Sequence, residues 1–127
     1  MSQRDQRGRF AYPELDRVLH ERARLGILTC LLSTTSSRAT FNDLRELCDL
    51  TDGNLSRHLQ ILQDAGLVEV WKGFKGKRPQ TLCRITAAGR TRFREYLNIL
   101  EHVISDALPD EGELPARGKP GAGWSPA

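Results

Sequence analysis

No apolar run in the sequence approaches the roughly 20 residues that a membrane-spanning helix needs. The opening MSQRDQRGRF also lacks the apolar h-region of a secretory signal, so a soluble, cytoplasmic protein without a membrane partner is expected. Cysteine is scarce: Cys30, Cys48 and Cys83 are odd in number and far apart, which argues against a disulfide framework. No His, Cys, Asp and Glu set has metal-ligand spacing, and no glycine-rich phosphate loop follows a strand. These absences leave no catalytic residue, metal site or cofactor to name, and an enzyme is not expected. No internal repeat is present. The net charge of +3 and the pI near 9.0 lean basic without being extreme, so where the charges sit matters more than their sum. A chain of 127 residues can hold one domain with a usable core, plus tails.

What is present is organised around Thr40 to Leu67, TFNDLRELCDLTDGNLSRHLQILQDAGL. It reads as two short helices joined by a tight turn. Thr40 is an N-cap with Asp43 as its capping-box partner, and Leu44 and Leu47 mark one apolar face. Leu50 falls in the turn. Thr51 is a second N-cap, and Leu55, Leu59 and Leu62 follow at the spacing of a one-sided helix that Gly66 stops. On a wheel of about 100° per residue, Gly53, Arg57, Gln60 and Asp64 lie opposite the leucines, with Asn54 and Ser56 on the flanks. Glycine allows close backbone approach, while arginine and glutamine offer bidentate pairing to base edges, so this face can enter a DNA major groove. An αα-hairpin with a solvated outer face has the same pattern.

The flanks add context. Residues 1–12 are polar and carry Arg4, Arg7 and Arg9, a disordered leader or a basic arm laid along phosphates. Pro13 suits a first helical position, with Leu15, Val18 and Leu19 as one apolar turn. Glu21 to Ser33 reads as a buried scaffold helix, with Leu25, Leu28, Leu31 and Leu32 on one side and Ile27 beside them. His20 suits a hinge or cap. Ser33 to Ser37 is a loop, and Arg38 to Phe41 a short edge strand.

After Gly66 the period becomes two. Val68 and Val70 alternate with Glu69 and Trp71, and Thr81, Cys83 and Ile85 with Leu82 and Arg84. Two antiparallel strands are expected, with the valines, Cys83 and Ile85 facing the helices and Trp71 paired with Leu82 outside. Between them, a long mobile loop from Lys72 to Pro79 holds Lys72, Lys75, Lys77 and Arg78 and no acid. Charge of one sign repels itself unless it meets a polyanion. Thr86 caps a last helix running to about Leu108, ended by Pro109. Phe93, Leu97, Leu100 and Ile104 form a seam along it, read as a homodimer contact, since a small monomer would leave little such surface wet. All three cysteines read as structural. Residues 109–127 look like a disordered tail, leaving residues 13–108 as the folded domain.

In order, LDRV from Leu15, RLGIL from Arg24, FNDL from Phe41, DGNLSRHL from Asp52, AGLVE from Ala65, GKRP from Gly76 and ITAAG from Ile85 resemble bacterial and archaeal winged-helix regulators lying between the MarR-like and ArsR-like families. The resemblance covers about Leu15 to Leu100. It implies a mainly α fold with a small antiparallel β-hairpin (α+β): a winged helix-turn-helix with a long C-terminal dimerisation helix. It further implies a dimeric, nucleoid-associated transcriptional regulator, most simply a repressor, on double-stranded DNA. The helix over residues 52–64 would read the major groove through Gly53, Asn54, Ser56, Arg57 and Gln60. The wing over residues 72–79 would hold the backbone through Lys72, Lys75, Lys77 and Arg78. The MarR-like side implies a small-molecule effector, unidentified by these residues. Against the ArsR-like side, Cys48 stands alone where thiolate metal sensors carry a Cys-x-Cys pair, which leaves too few ligands for a metal. His58 is expected to pack and hydrogen-bond at the edge of the leucine stripe or to touch a phosphate. The other reading is a winged helix serving as a protein-interaction module within a larger nucleic-acid assembly.

Overall fold

Among the elements of the described residues, threonine hydroxyls set where three of four helices begin. In the computed structural model, which describes residues 6–108, 118 and 120–127, the order is α1 (Arg22–Ser33), β1 (Arg38–Thr40), α2 (Phe41–Leu47), α3 (Asp52–Asp64), β2 (Val68–Lys75), β3 (Arg78–Ile85) and α4 (Ala87–Ala107). Thr40 accepts the Asp43 amide at 3.0 Å, Thr51 the Asn54 amide at 3.2 Å and Thr86 the Gly89 amide at 2.9 Å. Each cap satisfies a backbone donor that the first turn leaves unpaired, worth about 1 kcal/mol. Glu21 does the same for α1, accepting from Arg24 N at 2.8 Å.

The two central helices end alike. After α3, Leu67 N bonds to Leu62 O and Gly66 N to Gln63 O, both at 2.9 Å, with Gly66 at φ 76. After α2, Leu50 N reaches Arg45 O and Asp49 N reaches Glu46 O, with Asp49 at φ 52. Both are Schellman closures, and they drop Leu67 and Leu50 back toward the core. The core is built from Leu28 and Leu31 of α1, Leu44 of α2, Leu55, Leu59 and Leu62 of α3, Val68, Cys83 and Ile85 of the sheet, and Phe93 and Tyr96 of α4.

The three strands are antiparallel in the order β1-β3-β2, so the short β1 is an edge, as expected. Val68 pairs with Ile85 and Val70 with Cys83, facing the helices, while Trp71 pairs with Leu82 on the outer face. The architecture is the expected α+β winged helix. No helix among the described residues is long and apolar enough to cross a membrane.

Four local expectations need correction. The basic segment over residues 72–79 is no loose loop: β2 and β3 stay paired out to Lys75–Arg78, and only Gly76 and Lys77 turn. Residues 13–20 form turns and no helix. Asp16 Oδ1 captures the amides of Val18 at 2.9 Å and Leu19 at 3.3 Å, diverting donors that a helix would use. Leu32 and Leu47 are exposed, because Ile27, Leu28 and Leu31 carry the inner row of α1, and Cys48 takes the inner position one turn after Leu44. Phe93 lies in the chain's own core, 3% exposed, and so is withdrawn from any outward seam. The leader's Arg4, Pro109 and most of the expected tail lie outside the described residues.

The corner between α3 and α4 has no room for a side chain. A Cβ on Gly89 would stand 2.2 Å from Leu67 O and 2.8 Å from Ile85 Cγ1. Backbone there cannot yield without moving the first residues of the wing. Gly89→Ala should therefore lower the unfolding free energy by about 1–3 kcal/mol in a urea titration. Gly26→Ala, whose added carbon meets nothing closer than Cys48 Sγ at 3.9 Å, should hold or raise it by up to about 1 kcal/mol through helix propensity. Equal midpoints for wild type and Gly89→Ala would contradict the packing described.

Candidate nucleic-acid interface

With Leu55, Leu59 and Leu62 buried, the rest of α3 must face outward. Gly53, Asn54, Ser56, Arg57 and Gln60 are all exposed, as the wheel predicts. Arg57 has no hydrogen-bond or ion-pair partner among the described residues, so its guanidinium is available. Gln60 is engaged, donating from Nε2 to Asp64 Oδ1 at 2.8 Å, and must let go of Asp64 to offer both amide groups to a base. At the start of the helix Asp52 is paired with Arg45 of α2 at 2.8 Å across the turn.

The wing has two dissimilar faces. The outer one is locked by the Glu69–Arg84 ion pair at 2.7 Å, with Trp71 Nε1 donating to the same Glu69 oxygen at 3.1 Å. Those contacts hold the Glu69 carboxyl below its usual range, the Arg84 hydrogen bond foremost. The inner face looks toward α3: Lys72, Thr81 and Val70 line one side of a cleft of about 690 Å³ whose other side carries Ser56, Gln60 and Gln63. Lys75 and Arg78 pair across the hairpin tip, and Lys77 sits in the turn. Lys72, Lys75, Lys77 and Arg78 are exposed and have no acidic partner among the described residues. The structure thus brings Ser56 and Gln60 of α3 and Lys72 of the wing to one cleft, while Lys75 and Arg78 line a second, smaller one beside Thr40, Phe41 and Asn42.

Glu21 and Arg24, absent from the sequence-derived set, brace α3 from behind. His58, 7% exposed on the inner edge of α3, stands 3.1 Å from Arg24 Nη1 and 3.7 Å from Glu21 Oε2 through Nδ1. Arginine has no acceptor, so Arg24 donates and Nδ1 accepts, which requires a neutral imidazole. Arg24 is held in turn by Val18 O, 2.6 Å from its Nε. Only the Glu21 cap at the start of α1 could have hinted at this arrangement. His58 therefore packs and hydrogen-bonds, the first of its two expected roles. His20 shares a 2.7 Å hydrogen bond with the Tyr96 hydroxyl, tying the turn before α1 to α4.

On α4, Leu100 is half-buried against the core, whereas Leu97 is 39% and Ile104 56% exposed. The three thiols are free, and burial pushes all of them up, Cys83 to about 11. A reactive thiol needs the opposite shift.

Residues 23–104 match the model of a family described as the winged helix DNA-binding domain. A transcriptional regulator homologue from Pyrococcus horikoshii is similar in structure, with a TM-score of 0.67 and 30% identity over 81% of this chain and 97% of that one. A MarR family transcriptional regulator from Streptomyces coelicolor, solved in complex with DNA, shares the fold with a TM-score of 0.54 and 22% identity, covering 89% of this chain and 81% of that one. An uncharacterized protein from Methanocaldococcus jannaschii is 44% identical over 57 residues, 45% of this chain, which therefore spans 62% of that relative's length.

The brace behind α3 is sensitive to acid. Burial, foremost, together with Arg24 and Arg57 pushes the His58 pKa below its ordinary 6.5, against the opposing pull of Glu21. As pH falls, the unfolded chain takes up this proton first, so the stability His58 contributes is present above pH 6.5 and is lost as pH drops through the lower folded value. Urea midpoints should fall between pH 7.5 and 5.5 for the wild type. His58→Gln, which keeps an acceptor but cannot titrate, should flatten that fall. The same slope in both proteins would remove His58 as its cause.

Proposed function

The chain belongs to the winged helix DNA-binding domain family, the fold of transcriptional regulators and not of enzymes, and from that we propose that it is a sequence-specific double-stranded DNA-binding regulator. The observation that carries the reading is the division of charge over α3 and the wing. Among the described residues Arg57 and the four wing cations have no acidic partner, while Asp52 is engaged by Arg45 and Glu69 by Arg84. In this reading α3 lies in the major groove with Asn54, Ser56, Arg57 and Gln60 toward the bases, and Gly53 lets its first turn approach. Lys72, Lys75, Lys77 and Arg78 hold the adjacent backbone. Repression then follows from occupancy of the operator. The folded unit is residues 13–108, and Tyr12 is tied to it by a hydrogen bond to Asp106.

Arg57→Ala should cost about 1–3 kcal/mol on duplexes selected from a random pool by the wild type, and relax the preference at one base position. Neutralising Lys75, Lys77 or Arg78 should instead weaken selected and random DNA alike and flatten the salt dependence by about one ion per charge removed. Titrations at several salt concentrations separate the two behaviours. Equal losses on selected and random DNA for Arg57→Ala would sink the base-reading assignment. Salt-independent binding to another protein, with no duplex affinity, would favour an interaction module.

The same reading makes the regulator a homodimer through the exposed part of α4, Leu97 and Ile104 with Leu100 at the edge. Joining two copies makes the second half-site contact intramolecular, so affinity rises without new contacts. Half-sites should lie about 10 base pairs apart or a multiple of that. Leu97→Glu with Ile104→Glu should give a folded monomer by sedimentation that loses operator affinity but keeps much of its random-DNA affinity. A wild-type monomer at micromolar concentration that binds one half-site tightly would overturn the dimer.

A further inference from the structure

Phe74 belongs to no part of the hydrophobic core among the described residues. It lies next to the tip of the wing and is 75% exposed, more than any core-facing residue would be. The register places it directly beside Pro79, on the same face as the pairs Lys72–Thr81 and Val70–Cys83. Alternation along a strand puts that face toward α3, and the cleft lined by Lys72, Thr81, Ser56 and Gln60 confirms the direction. Closer to the body, the inner face is covered by the helices. Pro79 still lines a cleft with Thr40, Phe41 and Asn42, whereas the Phe74 ring stands clear of it as an exposed apolar group. Lys75 and Arg78 stand behind it on the opposite face, and Lys77 sits at the turn.

A wing that only held phosphates would gain nothing from an exposed benzyl group surrounded by cations. The combination fits a surface that is both polyanionic and able to accept a flat ring. A DNA base step offers both. We propose that Phe74, paired across the strands with Pro79, inserts into the minor groove beside the half-site and partly unstacks one base step, making it a specificity-determining residue for DNA the reading helix does not touch. This rests on the DNA-binding reading above. Apolar wedges of this kind open a step and bend the duplex toward the major groove. Pyrimidine–purine steps open most easily, so a preference for TA or CA should appear under the wing without any hydrogen bond to those bases.

The test uses the full chain and duplexes selected by the wild type from a random pool, with 2-aminopurine placed in turn at each position flanking the half-site. Wild-type binding should raise fluorescence at one step outside the positions that Arg57→Ala affects. Phe74→Ala should abolish that rise, lower affinity for flexible-step duplexes by about tenfold, and leave the salt slope and the fold, followed by circular dichroism, unchanged. Phe74→Trp should retain the rise. If Phe74→Ala leaves fluorescence and step preference intact while Arg57→Ala still weakens binding, the wedge is wrong and the DNA-binding reading stands. If Phe74→Ala changes the salt slope and no step preference, the ring merely positions the cations and the wedge is likewise wrong. If the wild type selects no duplex at any salt, both fall together.

Discussion

The corner at Gly66–Leu67 is the constraint on which the rest depends. Four elements meet there within hydrogen-bond distance. The corner closes α3 through the two Schellman bonds and starts β2 at the next residue. Leu67 O accepts the Thr86 amide at 3.0 Å, and Gly66 O accepts the Thr86 hydroxyl at 2.7 Å, so the end of β3 returns to the same point. There Thr86 caps α4, which can approach only because its third residue is Gly89. One backbone position therefore sets the angle between the exposed face of α3, the axis of the wing and the direction of α4. A similar knot holds the edge strand: Ser37, at φ 56, accepts the Ile85 amide through its carbonyl and Arg90 through its hydroxyl.

Much of this was legible in the residues because local rules and the fold agree. Thr40, Thr51 and Thr86 each precede an apolar-periodic run, and each proves to be a cap. The two-residue alternation from Val68 and toward Ile85 carries the strand register, since slipping by one would turn Val68, Val70 and Cys83 outward. Where the sequence misled, a contact distant in the chain had taken over. Pro13 to His20 has a helical look, but Asp16 spends one carboxylate oxygen on its own turn while both oxygens also engage Arg92, Nη2 at 3.0 Å from Oδ1. The wing looked loose because glycine and like charge signal mobility, and a strand pairing continued through Phe74 and Pro79 leaves no periodic trace there. Phe93 fits a seven-residue seam as well as it fits a core. Only the burial of Phe93 and Tyr96 in the core, with Tyr96 bonded to His20 before α1, decides between them. The Glu21–Arg24–His58 brace joins residues 34 or more apart in a pattern that no local rule encodes.

The charge distribution shows why a modest net value says little. Asp16 with Arg92, Glu21 with Arg24, Arg45 with Asp52 and Glu69 with Arg84 are spent on holding elements together. Such pairs add little stability singly where they are exposed, but Arg45 and Arg84 neutralise Asp52 and Glu69, the acids beside the start of α3 and on the wing.

The stretch before α1 touches α4 three times: Tyr12 with Asp106, Asp16 with Arg92 and His20 with Tyr96, across 94, 76 and 76 residues of chain. Contacts of such span close the largest loops in the fold and carry the greatest entropic delay. During synthesis, residues 12–20 leave the ribosome well before α4 and have these partners only once it follows. Helix-turn-helix and wing can assemble from near neighbours in the meantime, so this stretch docks only after them.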